Sequence, residues 1–95
     1  MTAVSAEFLL ATEILNHISR YRGGEIGFST LRQKLDLCAA ACGRVGFEWM
    51  ATYRKACTEL MEGVQATGIA EPPAELLEGN LRRVEILLQG VNPEK

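Results

Sequence analysis

Aromatic side chains are scarce in this sequence, at 6% of the residues with a single tryptophan, Trp49. With 47% hydrophobic content over 95 residues, the core has to be filled by Leu, Ile, Val, Ala and Met, which suit closely packed helices. A dominant charge is also missing. Ten basic against 12 acidic residues leave a net charge of -2, without the basic stripe that nucleic-acid binders use to displace counterions from phosphate. The two signs alternate along the chain, as on a solvated helical surface.

No run approaches the roughly 20 apolar residues that cross a bilayer, because Glu7, Glu13, Arg20 and Arg22 interrupt the apolar N-terminal segment. A basic stretch leading into an apolar run and a small-residue cleavage site is not found either, so the reading is cytoplasmic, with no membrane partner. Three cysteines, Cys38, Cys42 and Cys57, are odd in number and too sparse for a disulfide scaffold, which makes reduced, buried thiols the expectation. A chain this short has room for one core, so residues 1–95 read as a single helical domain.

Within residues 5–21, Leu10, Ala11, Ile14, Leu15, Ile18 and Tyr21 recur at helical spacing. Ser5 is placed to cap this helix, Glu7 and the pair Arg20 and Arg22 suit its dipole, and Gly23 and Gly24 stop it. After a glycine-rich loop, Ser29 or Thr30 is placed to cap a second helix carrying Leu31, Leu35, Cys38 and Cys42 on one face. Residues 47–67 are helical again, through Met50, Tyr53, Cys57, Leu60 and Val64. Gly68 ends that segment, and Pro72 and Pro73 suit the first turn of a last helix closed by Gly90.

Two architectures follow, depending on Gly43 and Gly46. The apolar phase from Leu31 to Val64 runs straight through both, which argues for one central helix of about 39 residues and about 58 Å. Such a three-helix chain would need a partner to cover it, as in a packed dimer. Against continuity, each interior glycine costs about 1 kcal/mol relative to alanine. A break gives an all-α bundle of four helices of comparable length, and this is the preferred fold.

Four constellations carry possible chemistry. Cys38, Cys42, Cys57 and His17 are zinc-ligand types, but on a continuous helix Cys42 and Cys57 lie about 22 Å apart, and paired zinc cysteines normally stand closer in sequence. His17 has no Ser, Cys or Asp in a catalytic motif with it. Glu59 and Glu62, or Glu75 and Glu78, are three apart on solvated faces, and one histidine cannot supply the two Glu-x-x-His pairs of a ferritin-like di-iron site. The glycines at 23, 24 and 27 match neither the Walker nor the dinucleotide spacing. No catalytic, metal or cofactor site is expected.

What remains is interaction chemistry. Leu77, Leu81, Val84, Leu88 and Val91 form a heptad-like stripe on the last helix, beside a second row of Leu76, Ile86 and Leu87. Phe47, Trp49, Met50 and Tyr53 cluster beside Arg44, Arg54 and Lys55, and tryptophan, tyrosine, methionine and arginine are enriched in interface cores. The expected function is that of a non-enzymatic protein–protein interaction module, an adaptor, small chaperone or inhibitor that binds a protein partner or itself as a homodimer. Trp49 and Tyr53 are the expected anchors, and Leu77, Leu81, Val84 and Leu88 the contact stripe. The alternative is a small helix-turn-helix-like DNA-binding regulator in which Arg32, Lys34, Arg44, Arg54 and Lys55 meet phosphates, although the charge balance makes nucleic acid an unlikely partner.

Overall fold

The described residues form four helices: α1 (Ala6–Arg22), α2 (Phe28–Cys42), α3 (Met50–Thr67) and α4 (Glu78–Gln89), the last entered through a 3₁₀ turn, Ala74–Leu77. The computed structural model describes residues 5–42 and 48–91, with the backbone alone of Cys42. No strand occurs among the described residues. The fold is the small all-α bundle that the apolar periodicity implies.

Local chemistry sets most of the boundaries. The Phe8 amide donates to Ser5 Oγ at 3.1 Å, satisfying one of the unpaired N–H groups at the start of α1. At the other end Gly23 stays in a right-handed conformation and Gly24 takes the left-handed one, φ +77°, so the reversal sits one residue later than the end of the helix. Gly68 closes α3 at φ +68°, where a Cβ would be strained.

The second helix begins differently from the expectation that Ser29 or Thr30 caps it. It starts at Phe28, and its cap is a carboxylate from 42 positions along the chain: the Ser29 amide donates to Glu71 Oε2 at 3.1 Å and its hydroxyl donates to Glu71 Oε1. Gly27 makes room for this, since a Cβ there would lie 2.9 Å from Glu71 Oε2. The Ser29 hydroxyl and then the Ser29 amide hold the Glu71 carboxyl below its ordinary value against a smaller desolvation effect, with a still smaller contribution from the Phe28 amide. A carboxyl held low stabilises the fold above its unfolded pKa, about 4.3, and loses that contribution as the pH falls through its folded value. In thermal melts from neutral to acid pH, Glu71→Gln is therefore expected to be less stable than wild type at neutral pH, with the gap closing in acid. A gap that does not change with pH would remove the ionised cap from this account.

The core is built from one face of each helix. Ala11, Ile14, Ile18 and Tyr21 of α1 meet Leu31, Leu35 and Cys38 of α2, and Met50, Tyr53 and Leu60 of α3 meet Leu77, Leu81, Val84 and Leu88, with Val91 closing the end. Each fully buried Leu or Ile contributes about 1.5–3 kcal/mol through removal of apolar surface from water. Two of the aromatics sit at a joint. Tyr21 meets Phe28 edge to face at 5.9 Å, and its hydroxyl donates to the Pro72 carbonyl, tying the α1–α2 corner to the turn before α4. Arg22 reaches Glu78 and Glu85 of α4, each at 2.5 Å.

The break expected at Gly43 and Gly46 lies outside the described residues, but one bond excludes the long rod. Tyr53 Oη donates to the Leu35 carbonyl at 3.1 Å, across 18 positions of sequence. On a straight helix those residues would stand about 27 Å apart. The three-helix alternative with one continuous central helix is therefore corrected: α2 and α3 fold back on each other. Helical phase continues through the glycines because each helix turns its own stripe to the same core, and phase alone does not distinguish that from a single rod.

Candidate functional site

Of the expected anchors and contact stripe, Tyr53 and the four stripe residues pack inside the chain, and Trp49 is half-buried. Tyr53 is fully buried, its ring held by the bond to Leu35 and by Trp49, which meets it edge to face at 5.9 Å. Leu77, Leu81, Val84 and Leu88 all lie in the chain's own core. The physical reason is that a helix with two apolar rows buries the wider and more regular one, and spacing alone does not state what lies opposite. From the second row, Leu76 and Ile86 are exposed. Of the aromatic cluster, Phe47 lies outside the described residues, as does Arg44.

What does open to solvent is the cleft between α2 and α3. These two helices are tied at Leu35 and Tyr53, and between them lie a groove of about 620 Å³ and, adjoining it, a smaller hollow of about 320 Å³. Asp36 of α2 and Met61 of α3 belong to both. The groove has an apolar floor of Phe28, Met61 and Val64, and a polar rim that includes Arg32, Asp36 and Gln65. Leu37 lines the same groove and is 58% exposed. Leu37 falls off the Leu31, Leu35 and Cys38 row, so helical spacing does not single it out; the signal it carries in sequence is a leucine on the solvent side of an otherwise polar face.

Reactive chemistry in the groove is muted. Cys57 is a thiol in the smaller hollow. Burial pushes its pKa up, the hydrogen bond with Tyr53 works the other way, and the Asp36 charge adds to the rise. A thiol held protonated is a poor nucleophile. Of the carboxylates weighed as acid–base partners, Glu59 and Glu78 serve in helix-to-helix ion pairs, with Arg83 at 2.6 Å and with Arg22. The glycine-rich loop before α2 does hold an anion, but that anion is the chain's own Glu71. Of the cations considered for phosphate, Arg32 and Lys34 on α2 and Arg54 and Lys55 on α3 are exposed, with Asp36 among them.

One set of metal-ligand types does come together. Glu13, His17 and Cys38 place their ligand atoms within 4.8 Å of one another, whereas Cys57 is not in the group. No described helix is long and apolar enough to cross a membrane. Comparison with protein-family models, with curated proteins and with solved structures finds no match to this chain.

Proposed function

We propose that the chain is a non-enzymatic protein–protein interaction module, a cytoplasmic homodimer that holds its α2–α3 groove against that of a second copy. The observation that carries this reading is Leu37, an exposed apolar knob standing beside an apolar hole. Two copies related by a twofold axis exchange the knobs, each Leu37 entering the other copy's groove, so one surface serves both partners and the assembly closes at two.

Charge placement supports the same occupant. Arg32 and Asp36 stand one turn apart on the rim, and neither enters an ion pair among the described residues. An antiparallel second α2 brings Arg32 of one copy against Asp36 of the other. A standard interface takes about 800 Å² from each partner, out of 6052 Å² here, so both groove helices take part and not Leu37 alone. The cysteine content suits a reducing compartment.

The test of place is a dilution series followed by amide chemical shifts. Arg32, Gln33, Leu37 and Gln65 are expected to shift with concentration while Leu81 and Val84 hold still. Shifts confined to α4, or no concentration dependence at all, would sink the groove as a self-association surface. In the second case a different protein that seats on the groove becomes the reading to pursue.

A further inference from the structure

We infer that Glu13, His17 and Cys38 form a binding site for a divalent transition metal of the zinc class. The cluster lies between α1 and α2, away from the α2–α3 groove, and does not depend on the self-association reading.

Glu13 and His17 are one turn apart on α1, so their side chains share a face, and Cys38 approaches from α2. The three ligand atoms lie within 4.8 Å of one another, and His17 Nε2 stands 3.6 Å from Glu13 Oε1. A tetrahedral zinc with bonds of about 2.0–2.3 Å sets its ligand atoms about 3.3–3.7 Å apart. The His17–Glu13 edge already has that length, and the remaining edges close with a movement on the order of 1 Å.

The donor set is chemically selective. One sulfur, one imidazole nitrogen and one carboxylate oxygen suit zinc or cobalt(II), and suit neither magnesium nor calcium, which take oxygen. Burial is graded from floor to mouth: Cys38 is 5% exposed, His17 12% and Glu13 60%. A metal seated there keeps its fourth position towards solvent beyond Glu13, for water or a fourth donor. On binding, the Cys38 thiol gives up its proton to solvent and the sulfur–metal bond forms in its place, with no change of oxidation state. The ion links α1 to α2, so it binds the folded chain far better than the unfolded one and raises thermal stability.

The experiment is a cobalt(II) titration of the full chain in a non-thiol reductant, read by absorption. The expected result is a thiolate-to-cobalt charge-transfer band with d–d bands of tetrahedral intensity, saturating at one equivalent. It should survive in Cys57→Ser and vanish in Cys38→Ser. Because Cys38 is buried and its replacement can harm folding, Glu13→Gln provides the second arm at an exposed position. Loss of a ligand costs more than the roughly 10–100-fold penalty for an outer-shell partner, so cobalt affinity in Glu13→Gln should fall at least about tenfold while the apo protein melts as wild type does. Zinc should raise the melting temperature of wild type, and a chelator should reverse the rise. No thiolate band in wild type, a band that persists in Cys38→Ser, or undiminished affinity in Glu13→Gln each overturns the site.

Discussion

Tyr53→Ala is expected to destabilise the chain by about 3–5 kcal/mol, the range for emptying a fully buried aromatic position. A 95-residue domain has a total stability of about 5–14 kcal/mol, so the variant loses a large share of it. The cost comes from three sources. The ring is fully buried between the helices, it supports Trp49 edge to face, and its hydroxyl holds the Leu35 carbonyl of α2. Thermal or urea unfolding measures the sum, and a fall in melting temperature of at least about 12 °C corresponds to the lower bound. Tyr53→Phe separates the parts. It keeps the packing and removes the hydroxyl, and should cost only about 1 kcal/mol. A Tyr53→Ala variant as stable as wild type would mean that α2 and α3 are not folded back on each other at this point.

Leu37→Glu is expected to abolish self-association while leaving the fold intact. At 58% exposure Leu37 contributes little to the monomer, and surface substitutions of this kind usually fall within about 0.5 kcal/mol of neutral. In the proposed dimer the same position is at the centre of the contact. Loss of an interface anchor costs about 2 kcal/mol or more, and twofold symmetry counts it twice. The resulting 4 kcal/mol or so corresponds to a dissociation constant raised about 1000-fold. Unfolding of the variant under conditions where it is monomeric supplies the control, and it should match wild-type monomer.

The parts of this fold that the sequence made legible are those with short-range causes. Ser5 lies three residues before the amide it caps, Gly68 and Gly90 end the helices they follow, and the stripe Leu77, Leu81, Val84 and Leu88 is a single apolar face whichever surface it meets. Features set by distant neighbours were hidden. No local pattern shows that Glu71, 42 positions away, reaches back to cap α2 in place of Ser29 or Thr30. The same holds for the direction of a stripe. Spacing shows the row on α4 but not that α3 lies against it, so Leu77, Leu81, Val84 and Leu88 lie in the chain's own core, while Leu37, off the apolar row of α2, is exposed.

The candidate metal cluster has the same origin. In sequence Cys38 and Cys42 share a helical face, whereas the packing of α1 on α2 sets Cys38 beside His17 and Glu13. Glu13 and His17 are separated by the four-residue step of a helix face, and that spacing was the readable half of the site. Its third member needed the fold.

Self-association through the α2–α3 groove is the central claim, and molar mass in solution tests it most directly. Light scattering behind size exclusion, run over a concentration series in reductant and chelator, keeps disulfides and metal from contributing. Wild type is expected to move with concentration towards twice the chain mass of 10.4 kDa, while Leu37→Glu stays at 10.4 kDa throughout. A wild-type mass fixed at 10.4 kDa over the whole range, or a dimer that Leu37→Glu leaves unchanged, would contradict the account.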